Sequence, residues 1–155
     1  MRDVAVRRLA ILVLSTFLIS TLPAGDLTGT WMGLIPADGR RSAQDIEFRF
    51  VQNGNKLGGK LYRGGESAAI TDGEVDQRGE VWFVVEAREQ AGNQINIVEY
   101  RFEGVVCEGG IELTRERAAA RDAVSGVVVP VRGPDTTDEE DRRRRFHGFR
   151  LERLF

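Results

Sequence analysis

Cysteine is almost missing from this chain: Cys107 stands alone among 155 residues. No intramolecular disulfide can form, so stability has to come from packing. Histidine is equally scarce, His147 being the single one. One cysteine and one histidine cannot complete a zinc site, and the acidic run Asp135 to Asp141 lacks the central glycine of a calcium loop. Beyond the N-terminal stretch, serine occurs only as Ser42, Ser67 and Ser125, none in a Gly-x-Ser-x-Gly setting, so a hydrolase triad has little to build from. A Cys107–His147 nucleophile pair would need two separate segments to meet, with nothing beside the thiol to activate it. Cys107 reads instead as a small side chain at the end of an apolar strand. No cofactor is called for. Charge of one sign is also lacking. The formal net charge is −2, which gives no electrostatic reason to expect nucleic acid or an anionic membrane as partner.

Long hydrophobic runs are missing too. The longest, Leu9 to Ile19, is roughly half of the ~20 residues that span a membrane. Arg2, Arg7 and Arg8 precede it and Pro23-Ala24-Gly25 follow it. That order of charged, apolar and small residues is an export signal covering residues 1–24, with cleavage expected after Ala24. The protein is therefore expected to be periplasmic or secreted, with no membrane insertion after cleavage. Removing three arginines and one aspartate takes the net charge to about −4. The remaining residues, 25–155, suffice for one domain with a single core, expected to be a monomer.

What is present is alternation. Strand-like segments run from Leu27 to Ile35, Gln44 to Gln52, Lys56 to Arg63, Ala68 to Val75, Glu80 to Ala87, Ile95 to Val106 and Ile111 to Glu116, with another from Phe146 to Arg153. Between them lie Asn53-Gly54-Asn55, Gly64-Gly65, Asp76-Gln77-Arg78-Gly79, Ala91-Gly92-Asn93 and Glu108-Gly109-Gly110, residues that supply the positive φ of tight hairpins. Short strands in succession without helices predict an all-β fold, an eight-stranded up-and-down antiparallel barrel. One face gathers Trp31, Phe48, Phe50, Phe83, Tyr100 and Phe102, the candidate core or ligand-lining set. The other gathers charged residues such as Glu47, Arg49, Glu86, Arg101 and Glu112. Apolar inside and charged outside is a water-exposed barrel, the reverse of a transmembrane one. The interior is expected to hold no polar constellation.

A partly helical or loop insert, 118–145, precedes the last strand. Ala118 to Val124 reads as a short helix. Asp138, Glu139, Glu140 and Asp141 stand four residues before Arg142, Arg143, Arg144 and Arg145, a pattern of i,i+4 pairs on a solvated helix, with Thr136 and Glu139 as a capping box. Between them Val127, Val128, Val129 and Val131 flank Pro130. An apolar stretch outside the barrel must be covered, by folding across the mouth as a lid, by pairing with a sheet edge, or by docking onto a partner. Among these the lid is the expectation, and the partner surface comes second.

The Gly29-Thr30-Trp31 strand, the meander after it and the arginines of the closing strand resemble the lipocalin and calycin barrels. Ala69 to Glu86 and Tyr100 to Glu116 look like small secreted, lipocalin-like bacterial domains of unassigned function. The resemblance implies that Trp31 plugs one end and that Arg150 or Arg153 packs over it. It also implies a non-catalytic exported barrel that binds a small apolar ligand or an envelope protein. The alternative is a structural barrel with a filled core and no ligand, since eight strands enclose little beyond side-chain volume. Nitrobindin-like barrels also begin with Gly-x-Trp and place a histidine near the C-terminus, as His147 is placed, which implies haem binding as a further alternative.

Overall fold

The computed structural model describes residues 25–37, 42–130 and 148–155. Eight strands follow one another around a closed antiparallel barrel: β1 (Gly29–Ile35), β2 (Gln44–Asn53), β3 (Lys56–Arg63), β4 (Glu66–Val75), β5 (Glu80–Ala91), β6 (Gln94–Cys107), β7 (Gly110–Asp122) and β8 (Phe149–Arg153). Each strand pairs with its sequence neighbours, and β8 closes the ring against β1 through Leu151–Arg153 opposite Trp31–Gly33. The all-β, up-and-down architecture read from the alternation is the one observed.

Local chemistry explains the connections. Gly64 and Gly65 both take left-handed φ, 57° and 84°, and join β3 to β4 in a two-residue turn. At the β4–β5 turn the Asp76 carboxylate accepts from the backbone N–H of Arg78 at 2.8 Å and of Glu80 at 2.9 Å. Glycines inside strands do a different job. A Cβ at Gly59 or Gly104 would fall inside the van der Waals shell of the Arg49 or Glu112 carbonyl oxygen on the neighbouring strand. These positions let the sheet coil tightly enough to close.

The core is a plug and a phenylalanine layer. Leu27 and Trp31 are buried at the end where the chain enters β1, and the indole Nε1 donates to the Leu27 carbonyl at 2.8 Å. At mid-height Phe48 and Phe50 of β2 meet Phe83 of β5 across the lumen, at ring-centroid distances of 5.2 and 5.3 Å. Phe102 of β6 stacks on Phe83 at 4.8 Å. Strands on opposite walls of the barrel thus touch through their side chains, and the lumen is filled at this level.

Five strands run beyond the segments read from the sequence, β5 and β7 by the most, and one expectation is overturned. Ala118 to Val124 is no helix: β7 continues through Asp122, paired residue by residue with β6 as far as Asn96 opposite Asp122. Alanines favour helix locally, but here the edge of β6 satisfies their backbone groups. A bulge lies between the Tyr100–Arg117 and Glu99–Ala119 pairs, leaving Ala118 as the extra residue, and Ala120 is turned to the core. The chain then reverses at 123–126 and runs back along β7. Val127 O accepts from Asp122 N at 2.8 Å, and Val129 N donates to Ala120 O at 2.9 Å. Asp122 Oδ1 holds the reversal by accepting from Val124 N, Ser125 N and the Ser125 hydroxyl at 3.0, 2.6 and 2.8 Å. The Ser125 bonds, with that of Val124, draw its carboxyl below the ordinary aspartate value. The export signal 1–24, Val131, the charged run Asp138–Arg145 with its capping box, and His147 all lie outside the described residues.

Candidate functional site at the open end of the barrel

The barrel's two ends differ in chemistry. At the plugged end, alternation along β8 turns Phe149, Leu151 and Arg153 inward. Arg153 caps the plug, its guanidinium carbon 5.5 Å from the Trp31 ring and its Nη2 donating to the Thr28 carbonyl. Arg150 has the opposite parity and does not reach Trp31. It lies outside, donating to the Glu108 carbonyl at 2.7 Å, to Cys107 Sγ at 3.4 Å and to Glu112 at 3.5 Å. Of the two arginines offered by the resemblance, only Arg153 packs over the indole.

Trp31, Phe48, Phe50, Phe83 and Phe102 are all core residues buried against one another. Tyr100, the sixth of the candidate lining set, is one layer nearer the other end and has polar company. Its hydroxyl donates to Glu89 Oε1, and Arg117 Nη2 donates to Glu89 Oε2 at 3.2 Å. The guanidinium of Arg115 lies 5.1 Å from the Tyr100 ring centroid and that of Arg63 lies 6.0 Å from it. Burial first, and the Glu89 hydrogen bond second, push the Tyr100 hydroxyl above the ordinary tyrosine value. The hydroxyl therefore stays protonated at neutral pH, as its donor role requires.

This cluster corrects the expectation of an interior without polar groups. Arg63 stands two residues beyond the inward Leu61, Arg115 and Arg117 two and four beyond the inward Leu113, and Glu89 two beyond the inward Ala87. Parity carried past the last apolar residue of each strand was the available signal. The cluster is incompletely satisfied: Arg117 Nε and the side-chain oxygen of the buried Asn96 have no hydrogen-bond partner in the described residues.

Next to the cluster the wall itself parts. β4 pairs with β5 only from Ile70 opposite Val85 to Val75 opposite Val81. Beyond Ile70, β4 stays with β3 while β5 runs on with β6 to Ala91. The gap is a cleft of about 410 Å³. Its inner side is formed by Leu61, Arg63, Ala68 and Ala87, and its rim by charged groups including Glu66, Glu86 and Arg88. Glu86 is held by Arg121 at 3.1 Å. Arg63 lines the cleft and also lies against the Tyr100 ring, so it stands between the two.

The valine segment borders β7 at this same end. Val129 packs against the core while Val127 and Val128 stay exposed, at 65 % and 77 % of their full surface. Pairing with a sheet edge is what its described residues do. Among the described residues no three His, Cys, Asp or Glu side chains lie together to hold a metal ion. No protein family, curated protein or solved structure matches the chain.

Proposed function

We propose that this protein is a non-catalytic, exported barrel that binds a small ligand with an apolar body at its open end, in the cleft between β4 and β5. The single observation that carries this reading is the position of the free volume. The phenylalanine layer fills the lumen, while about 410 Å³ lies beside Leu61, Ala68 and Ala87, within the usual size range of a small-molecule pocket. A ligand there would meet apolar side chains on its inner side and reach solvent past the charged rim.

The test is fluorescence titration of the purified protein with N-phenyl-1-naphthylamine, a neutral apolar probe. Saturable enhancement is expected, and it should be lost in Ala68→Phe, which fills the cleft from a half-buried position, with the thermal melt showing that the variant folds. Absence of enhancement in the folded wild-type protein, with this probe and with its sulfonated analogue alike, would overturn the reading. The second reading, a structural barrel without a ligand, is favoured by the same filled lumen and would then stand. Docking of an envelope protein would fall on Val127 and Val128. Export rests on the charged, apolar and small-residue order of residues 1–24, and N-terminal sequencing of the envelope fraction tests it, with a chain beginning at Gly25 expected. Haem binding would rest on His147, and no described residue adds to it.

A further inference from the structure

We infer that the ligand carries an oxyanion, held at the open end by Arg63 with Arg117 beside it, so that the protein takes amphipathic organic anions in preference to neutral apolar molecules. The inference rests on the cleft reading above and names the chemistry of its ligand.

Three guanidinium groups and one carboxylate turn inward around Tyr100. That carboxylate, Glu89, is divided between the Tyr100 hydroxyl and Arg117. It answers Arg117, and no carboxylate pairs with Arg63 among the described residues. Of the guanidiniums around Tyr100, Arg63 is the one that lines the cleft. Glu66 faces it across the turn in register, yet no ion pair joins the two among the described residues. The Arg63 guanidinium lies over the face of the Tyr100 ring instead. Arg117 has spent one Nη2 bond on Glu89, and its buried Nε has no acceptor among the described residues. A donor buried without an acceptor is costly, and an oxyanion supplies both the missing acceptor and the missing charge. The fork geometry of guanidinium suits a carboxylate, sulfonate or phosphate head, while Leu61, Ala68 and Ala87 suit the apolar body.

Two probes with the same aromatic skeleton separate this inference from the reading it rests on: N-phenyl-1-naphthylamine, which is neutral, and 1-anilinonaphthalene-8-sulfonate. The sulfonate is expected to bind about tenfold more tightly at low salt. Raising sodium chloride from about 20 to 500 mM should erode that preference and leave the neutral probe alone. Arg63→Gln should remove the preference, and Arg78→Gln, at the plugged end of the barrel, should keep it. The salt series on the wild-type protein serves if Arg63→Gln fails to fold. Equal affinity for both probes, or a preference that survives high salt and Arg63→Gln, overturns the anion inference and leaves the cleft reading in place. Failure of both probes overturns the cleft reading and this one with it.

Discussion

At the scale of single residues, Trp31 and Tyr100 mark the two ends of the barrel. Trp31 is 5 % exposed and fixed by its bond to Leu27 and by Arg153 above it. Trp31→Ala should cost about 3 to 5 kcal/mol, because a closed wall cannot collapse into the space an indole leaves. A urea midpoint unchanged from wild type would contradict the plug. Tyr100 gives a pH signature. Its folded value is raised above the ordinary 10.0 by burial first and Glu89 second, so the native state holds the proton more tightly than the unfolded chain. Stability from this group is fully present below about pH 10 and falls as the pH rises through the folded value. Tyr100→Phe should flatten the loss of stability as the pH rises above about 10, measured as urea midpoints on either side of that pH.

At the scale of elements, the decisive feature is how closely neighbouring strands approach. The φ of Gly104 is not left-handed, so its role is purely steric: a Cβ would meet the Glu112 carbonyl of β7 and the Leu113 side chain. Gly104→Ala should therefore cost about 3 kcal/mol or more by forcing β6 and β7 apart. Gly58 is the control. The nearest atom to a Cβ there is 3.9 Å away, and Gly58→Ala should change stability by less than about 1 kcal/mol, with any gain coming from reduced freedom of the unfolded chain. Chemical denaturation of the two variants side by side checks both. The same scale explains the length of β7. Helix propensity in Ala118–Ala120 yields to the ladder with β6, and the bulge at Ala118 keeps Ala120 facing inward.

For the whole molecule, closure depends on its shortest strand. Among the described residues β8 pairs with β7 through Phe149–Leu151 and with β1 through Leu151–Arg153, whereas β5 and β6 pair over the whole length of β5. The amides of β8 should exchange with solvent at least about tenfold faster than those of Phe83 and Phe102 at the barrel's centre, read by hydrogen exchange. Equal protection would mean that the barrel opens only as one unit. The sequence by itself determined the strand order, the turns and the inward set from Trp31 to Leu151, since period-2 alternation and glycine-marked turns are local properties of the chain. It stopped being legible where apolar alternation stopped: the ends of β5 and β7 carry Glu89, Arg115 and Arg117 inward, and polar residues at inward positions look like loop or outer face. Tertiary structure alone decided that Phe48 and Phe50 meet Phe83 across the lumen, that β4 leaves β5 at Ile70, and that four charged side chains converge on Tyr100. Those juxtapositions depend on how far the sheet coils before it closes, a property of all eight strands together that no single segment carries.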